Sequence, residues 1–279
     1  LLDIFKSTNK LLRKEGLRDG YERFSAFAEV LFLKLIDESE QLNEHRGLPR
    51  IIEQRFCWSA FVRKHKNSAL LDFISDSVWK RLRQTYGDIF NTPFSIRKSS
   101  TLEAVIKLID PINLTSTDTD VKGDAFEYFL KSVTNGNKDL GEYFTPRHIV
   151  RTMVHLVKPQ YGQTIYDPFC GTGGFLLEAF KYLSLRVDSS KPDIMNTLKT
   201  KILYGREITS TSRIAKMNMV LFGDGHSNIE QTDSLEHPID GKYDIVLSNI
   251  PYSQDTEHGA FYPIPSTNGN AICVQHIWK

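Results

Sequence analysis

Residues 167–175, with the sequence DPFCGTGGF, place a carboxylate just ahead of three glycines, between a predicted strand and a predicted helix. Gly171, Gly173 and Gly174 allow the backbone to approach a ligand closely at a helix N-terminus. The spacing is not the G-x-G-x-x-G of dinucleotide-binding folds, and such a loop can also be only a tight turn. Asp167, at the strand end, would repel a pyrophosphate but suits a ligand that carries positive charge. S-adenosylmethionine, which has a sulfonium and an α-amino group, is such a ligand.

Two further acids stand where an adenosine ligand would need acceptors. Glu207, in the segment YGREI, ends the next predicted strand, and an acid there can accept hydrogen bonds from both ribose hydroxyls. An acid after a strand is otherwise an ordinary solvated side chain, but the glycine loop one strand earlier favours the binding role. Asp233, in TDSL, is the candidate for the adenine amino group, and Asp224, in FGDG, is its competitor.

The tetrapeptide Asn249-Ile250-Pro251-Tyr252 follows residues 243–248, whose β-branched and apolar side chains predict a strand covered on both faces. Asn and Pro at a strand end are also typical of a plain turn. In parallel sheets, however, ligands bind beyond the carboxyl ends of the strands, which would bring the tetrapeptide beside the glycine loop. We therefore regard it as the candidate reactive tip.

The first half of the chain shows helical periodicity and no strand alternation. An apolar stripe recurs with the spacing of one helix face at Phe24, Phe27, Ala28, Leu31 and Leu35. Similar spacing predicts helices over residues 68–86, 101–109 and 121–134. A polar, glycine-containing loop near residues 134–137 then marks a change of pattern. We therefore predict a helical domain over residues 1–138 and a second domain over residues 139–279.

Strand and helix patterns alternate in the second domain. Thr145 is predicted to cap a helix that begins at Pro146 and ends before Pro159. Strands are predicted at residues 164–168, 201–208 and 243–248. Helices are predicted at residues 174–185 and 209–222, and from near residue 270. Such alternation is typical of βαβ units, so the predicted fold class is α/β, a Rossmann-like, doubly wound parallel sheet preceded by an all-helical domain.

Composition excludes several classes of protein without selecting a function. The 279 residues are 40% hydrophobic and 25% charged, as in globular proteins. The net charge of +1 gives no overall sign of a polyanion partner, and it is compatible with a local basic surface. The few, widely spaced cysteines indicate a reducing cytoplasmic compartment, and no His–Cys cluster predicts a metal site. No apolar stretch could span a membrane, and no signal peptide is visible. Because the chain begins at Leu1 and stops at Lys279 within a predicted helix, we expect a sheet that lacks its C-terminal part.

Four motifs, GEYFTPR, DPFCGTGGF, YGREI and NIPY, follow the helical domain in an order that resembles the modification subunit of type I restriction-modification systems. The resemblance covers nearly the whole chain, although Ile250 replaces the more usual first proline. It implies a bacterial or archaeal enzyme that uses S-adenosylmethionine to methylate the N6 amino group of adenine in DNA. It also implies that the cofactor pocket is lined by Thr172, Gly173, Gly174, Glu207 and the segment Glu142, Tyr143, Phe144, Thr145, Pro146 and Arg147.

The same resemblance assigns the target adenine to residues 249–252. An exocyclic adenine amine is a poor nucleophile because its lone pair is delocalised into the ring. The Asn249 side-chain oxygen and the Ile250 main-chain carbonyl can bind its two hydrogens and favour a pyramidal, more nucleophilic nitrogen. Since the second acceptor is main chain, Ile can supply it as well as Pro. Pro251 would stiffen the turn, and Tyr252 would stack on a base flipped from the duplex.

The partners implied by the resemblance are double-stranded DNA, a specificity subunit that reads the target site, a second modification subunit and the restriction (nuclease-translocase) subunit. Three alternatives stay open. The same tetrapeptide occurs in enzymes that methylate a glutamine side-chain amide in proteins. A dinucleotide-dependent oxidoreductase would share the glycine loop but has no use for NIPY. The chain could also be a cofactor-binding or scaffolding piece without turnover.

Overall fold

The computed structural model describes residues 2–17, 20–45, 47, 49–115, 145–188, 190–221, 228–252 and 254–279. The chain divides into two compact units, Leu1–Gly141 and Glu142–Lys279. The helix predicted at residues 121–134 lies outside the described residues. Within the described ranges, no helix has both the length and the apolar character needed to cross a membrane.

The regular elements described in the first unit are all helical. Its α-helices are α1 (Leu2–Glu15), α2 (Gly20–His45), α3 (Trp58–Lys64), α4 (Asn67–Asp72), α5 (Trp79–Tyr86) and α6 (Ser99–Ile109). A π-helical turn at Phe73–Val78 joins α4 to α5 in one continuous helical segment. The helices predicted at residues 68–86 and 101–109 are therefore confirmed.

The long helix α2 contacts α1, α3 and α6 and carries much of the apolar core of the first unit. The predicted stripe from Phe24 to Leu35 is buried throughout, and Phe5 and Leu12 of α1 are buried as well. The rings of Phe5 and Phe27 meet edge to face with 4.4 Å between centroids. Burying each such large side chain stabilises the fold by about 1.5–3 kcal/mol. This core lies where the helical periodicity of the sequence predicts it.

Acidic side chains of α2 are also directed inward, where they accept hydrogen bonds from backbone N–H groups of other segments. The pairs are Glu29 with Ser95, Asp37 with Ser59, Glu38 with Leu114 and Thr115, and Glu40 with Ile51 and Ile52. Buried carboxylates are tolerated only when they are paired in this way. The acids of α2 therefore hold in place the irregular segments that connect the helices.

The second unit contains, in its described part, a four-stranded parallel sheet. The strands are β1 (Ile165–Asp167), β2 (Leu203–Glu207), β3 (Ile229–Gln231) and β4 (Ile245–Val246). The α-helices are α7 (Arg147–Val157), α8 (Gly174–Ser184), α9 (Pro192–Thr197), α10 (Thr211–Leu221) and α11 (Gly269–Trp278). The predicted Rossmann-like α/β arrangement, preceded by helices, is confirmed.

The strand order is β3-β2-β1-β4, so the direction in which strands are added reverses at β1. Ile165 of β1 pairs with Leu203 on one side and with Ile245 on the other. At such a switch point the carboxyl ends of the strands border a crevice in which doubly wound proteins bind ligands. Asp167 and Glu207 are the last residues of β1 and β2, and they lie at this edge.

Helix α8 packs against α7, α10, β1 and β2, which explains why it is apolar on nearly all sides. Gly205 on β2 makes room for this packing. A Cβ at that position would lie 2.7 Å from Leu176 Cδ1 and 3.2 Å from Cys170 Sγ. The thiols of Cys57, Cys170 and Cys273 are buried and free.

Three details correct the sequence prediction. The sequence does not predict β3, because only Ile229 of its residues is buried. Strand β4 is half-buried rather than covered on both faces, because it is the edge strand of the described sheet. Helix α7 begins at Arg147, because Pro146 has extended backbone (ψ 133°) and occupies the capping position assigned to Thr145.

The buried acids of α2 yield a first prediction. Glu40→Ala leaves the N–H groups of Ile51 and Ile52 without their acceptor, and we expect it to lower the free energy of unfolding by about 2 kcal/mol or more. Glu44→Ala, on the same helix, removes only an exposed ion pair with Arg50 and serves as the matched control. Equilibrium denaturation of both variants measures the effect, and equal midpoints would contradict the structural role of Glu40.

Candidate active site at the carboxyl ends of the strands

The glycine loop joins β1 to α8 in a conformation that requires glycine. Gly171 and Gly173 have φ angles of +51° and +82°, in the left-handed region that side chains disfavour. The Gly173 N–H donates to the Cys170 carbonyl at 2.7 Å, and the Cys170 N–H donates to the Arg206 carbonyl at 2.9 Å. Gly174 begins α8, and a Cβ there would meet open space. The loop therefore presents backbone, not side chain, at the N-terminus of α8.

Glu207 is buried and holds the glycine loop against the end of β2. One carboxylate oxygen, Oε2, accepts a hydrogen bond from the Gly171 N–H at 3.1 Å. The other, Oε1, accepts from the Thr209 N–H at 2.8 Å and from the Thr209 hydroxyl at 2.6 Å. Three of roughly four acceptor positions on the carboxylate are occupied by these protein donors.

Asp167 is the most buried acid of the site, with 1% of its surface exposed. Its Oδ1 atom accepts hydrogen bonds from the Ser248 hydroxyl at 2.6 Å and from the Phe169 N–H at 3.1 Å. Burial raises the pKa of Asp167 to about 7, the Glu207 carboxylate adds to the rise, and the two hydrogen bonds oppose it. Both bonds fall on Oδ1, so among the described residues none donates to Oδ2.

The tip after β4 lies beside Asp167, because β4 pairs with β1 and the Ser248 hydroxyl, directly before the tip, donates to Asp167 Oδ1. The Tyr252 hydroxyl donates to Asn249 Oδ1 at 3.1 Å, and the Tyr252 ring is 65% exposed. Ile250 packs on a small apolar cluster together with Phe169 of the glycine loop. The members of this cluster are Leu235, Tyr262, Ile272 and Cys273. The apolar contact of Ile250 is one that the sequence pattern does not reveal.

Asp233 follows β3 and lies on the same edge of the sheet. Its Oδ1 atom accepts from the Leu235 N–H at 2.8 Å, and its Oδ2 atom lies 3.4 Å from His258 Nε2. The adjacent Ser234 hydroxyl donates to the Pro168 carbonyl at 2.7 Å, which fixes this segment against the residue that follows Asp167. Asp224, its competitor for the adenine amino group, lies outside the described residues.

The segment from GEYFTPR is only partly described. Glu142, Tyr143 and Phe144 lie outside the described residues, whereas Thr145, Pro146 and Arg147 lie at the start of α7. Helix α7 packs on α8, and Arg151 pairs with Glu178 at 3.5 Å between them. The assignment of residues 142–147 to the cofactor pocket stays a prediction.

Three residues that were not predicted from the sequence hold the site residues in place by hydrogen bonds. Ser248 binds Asp167, Thr209 binds Glu207, and Asn218 of α10 donates from Nδ2 to the Thr172 carbonyl at 2.8 Å. Of these, only Ser248 has a signal in the sequence, as a hydroxyl residue directly before the tip. Cys170 belongs to the buried apolar core, and burial raises the pKa of its thiol well above the usual value.

A family model described as "N-6 DNA Methylase" matches residues 117–278, more than half of the chain. The chain belongs to the N-6 DNA methylase family. The predicted resemblance is confirmed by relatives such as the type I restriction enzyme EcoEI methylase subunit of Escherichia coli, which is 28% identical over 92% of this chain and 57% of its own length. The type II restriction enzyme and methyltransferase BcgI of Heyndrickxia coagulans is 36% identical over 56% of this chain and 24% of its own length.

Solved structures share the fold. A modification subunit of a putative type I restriction enzyme from Vibrio vulnificus YJ016 superposes with a TM-score of 0.85 at 24% identity, over 99% of this chain and 66% of that one. A chain from a structural study of type I restriction-modification assembly gives a TM-score of 0.76 at 26% identity, over all of this chain and 61% of that one. Three curated type I relatives match this chain over most of its length. The chain spans only about half of theirs, 53–57%.

The loop geometry yields a second prediction. Gly173→Ala forces a side chain into the left-handed region and to 3.4 Å from Ala215 Cβ, so we expect a loss of about 1–2 kcal/mol in the free energy of unfolding. Gly174→Ala places the same methyl group in open space at the start of α8, where Ala is favoured over Gly by up to about 1 kcal/mol. Denaturation curves compare the two variants, and equal stability would show that the φ angle of Gly173 is not required.

Proposed function

We propose that the protein containing this chain transfers a methyl group from S-adenosylmethionine to the N6 amino group of adenine in DNA, as the modification subunit of a type I restriction-modification complex. The observation that supports the proposal is that Ser248, directly before the NIPY tip, donates to Asp167, while Glu207 holds the glycine loop at the same edge of the sheet. Membership of the N-6 DNA methylase family supports it and favours DNA over a protein amide as the substrate.

The residues at the crevice fit a cationic adenosine ligand. Asp167 is a desolvated carboxylate whose Oδ2 atom takes no donor from the described residues, so an ammonium group would compensate its burial. The open space at Gly174 and the N-terminus of α8 leave room for close backbone approach. Glu207 has one acceptor position left, so binding both ribose hydroxyls requires the Thr209 hydroxyl to turn away.

The remaining assignments follow the same proposal. We assign residues 142–147 to the wall of the pocket and Asp233 to the adenine of the cofactor. Asp233 Oδ1 accepts from the Leu235 N–H and Oδ2 lies 3.4 Å from His258 Nε2, so about two of its four acceptor positions stay available for the adenine amino group. The ligand supplies an activated methyl group, whereas the protein supplies alignment of the amine with that methyl group.

At the tip, Asn249 Oδ1 and the Ile250 carbonyl are the proposed acceptors for the target amine. The Tyr252 hydroxyl donates to Asn249 Oδ1, so in this proposal the amine of the adenine takes the place of that hydroxyl. The exposed Tyr252 ring is then free to stack on the extruded base. Release of the hydroxyl costs little because this hydrogen bond lies at the surface.

By similarity to the type I methylase subunits, we propose double-stranded DNA, a specificity subunit, a restriction subunit and a second modification subunit as partners. The net charge of +1 gives the chain no strong overall attraction to the phosphate backbone of DNA. Site recognition therefore belongs to the specificity subunit in this proposal.

The tip yields a third prediction, tested in the full-length protein with its specificity subunit. Asn249→Ala should lower methyl transfer by at least about a hundredfold, because the amine loses its side-chain acceptor, while calorimetry shows unchanged cofactor affinity. Tyr252→Phe keeps the stacking face and frees Asn249, so activity should stay within a fewfold, whereas Tyr252→Ala should weaken base capture. If Tyr252→Phe were as inactive as Tyr252→Ala, stacking would be the wrong role.

Asp167 yields a fourth prediction, on pH. A cationic ligand binds the ionised carboxylate, so cofactor affinity should rise severalfold from about pH 6 to about pH 7.5, as Asp167 loses its proton. The comparison is with Asp167→Asn, in which the neighbouring Glu207 and the protonated thiol of Cys170 are the same as in the wild type. Asp167→Asn should bind the cofactor more weakly, and the pH dependence of its affinity should reflect only the titration of the ligand. Calorimetry across this range decides, and identical pH profiles for the two proteins would contradict the role of Asp167.

A further inference from the structure

The Ser248–Asp167 hydrogen bond joins the two halves of the proposed site. Strands β1 and β4 are linked by backbone bonds, of which the Leu247 N–H to Tyr166 carbonyl bond, at 3.0 Å, is the last one described before the crevice. One residue further on, the Ser248 hydroxyl donates to Asp167 Oδ1 at 2.6 Å. The side-chain bond therefore extends the pairing of the strands to the point where the tip begins.

The bond differs from an ordinary buried hydroxyl contact because each of its two residues is next to a group of the proposed site. Asp167 receives both of its described hydrogen bonds on Oδ1, which aims Oδ2 away from Ser248 and leaves it for a ligand. Ser248 is followed directly by Asn249, the proposed acceptor of the target amine. A hydrogen bond from a hydroxyl to a carboxylate is also among the stronger ones in proteins.

A second contact ties the same two segments together. Phe169, two residues after Asp167, and Ile250, two residues after Ser248, pack on one apolar cluster. The hydroxyl bond and this cluster therefore fix the glycine loop and the tip at two points, one polar and one apolar. An apolar cluster tolerates small shifts, whereas a 2.6 Å hydrogen bond specifies position.

We propose that Ser248 is a positioning residue that couples cofactor binding at Asp167 to the placement of Asn249 for the target amine. This inference rests on the proposed function and deepens it. When a cation engages Oδ2, the carboxylate is held ionised and binds the Ser248 hydroxyl more strongly, so the tip is fixed in its productive position. Cofactor occupancy thus strengthens base capture, and by linkage base capture strengthens cofactor binding.

The test uses an isosteric pair in the full-length protein with its specificity subunit. Ser248→Thr keeps the hydroxyl, and Ser248→Val replaces it by a methyl group of nearly the same shape. We measure kcat for methyl transfer, cofactor affinity by calorimetry, and DNA affinity with and without S-adenosylhomocysteine. Ser248→Val should lower kcat by about ten- to a hundredfold, since small misplacements of reacting groups have effects of this size. Ser248→Thr should retain most of the wild-type kcat.

The coupling measurement separates positioning from a merely structural role. In the wild type and Ser248→Thr, S-adenosylhomocysteine should tighten DNA binding severalfold, and in Ser248→Val this ratio should fall to about one. Ser184→Ala removes a part-buried hydroxyl at the C-terminal end of α8, the donor to the Lys181 carbonyl, and should keep the wild-type ratio even if it lowers stability.

Each outcome has one reading. A Ser248→Val protein with the kcat and the coupling ratio of Ser248→Thr would overturn the inference while leaving the proposed function intact. Loss of coupling in both variants would also overturn it, since the hydroxyl would then not be the cause. A wild-type complex that binds S-adenosylmethionine but transfers no methyl group to DNA would instead overturn the proposed function itself.

Discussion

Two carboxylates buried at the carboxyl ends of neighbouring parallel strands determine how the second unit is arranged. Asp167 and Glu207 have almost no contact with solvent, so each has to be satisfied by precisely placed donors. Glu207 takes the N–H of Gly171 and both donors of Thr209, and Asp167 takes the Ser248 hydroxyl and the Phe169 N–H. The glycine loop, the segment after β2 and the tip after β4 are thereby held at one edge of the sheet.

The first unit uses the same physical device for a different purpose. Acids of α2 accept backbone N–H groups from segments that are far away in sequence, such as Glu29 with Ser95 and Glu40 with Ile52. There both oxygens of Glu29 and both oxygens of Glu40 accept hydrogen bonds from the segments that they hold. In the second unit Asp167 keeps one oxygen without a described donor, and this difference separates a structural acid from a candidate ligand-binding acid.

The sequence is sufficient to predict elements with strong periodicity and motifs with a defined place in a βαβ unit. The stripe of α2, the strands that end in Asp167 and Glu207, and the glycine loop before α8 all follow from residue types and spacing. Membership of the family and the Rossmann-like fold follow from the order of the motifs. Strand β3 escapes such reasoning because exposed Glu230 and Gln231 give it no apolar pattern.

The supporting contacts could not be predicted because they depend on which side chains meet across the sheet. Nothing in the pattern says that Glu207 binds the Gly171 N–H, that Asn218 holds the Thr172 carbonyl, or that Ile250 shares a cluster with Phe169. The start of α7 is displaced from the predicted one for a local reason, the extended backbone of Pro146. The roles of residues 142–147 and Asp233 in binding a cofactor stay predictions.

Methylation of adenine in DNA at a site chosen by a partner subunit can be measured by sequencing modified bases. The DNA is incubated with the full-length protein and S-adenosylmethionine, with and without the cognate specificity subunit. We expect N6-methyladenine confined to one sequence context, and only when the specificity subunit is present. Methyl groups on cytosine or on a protein glutamine, or site-selective methylation by the 279-residue chain alone, would contradict it.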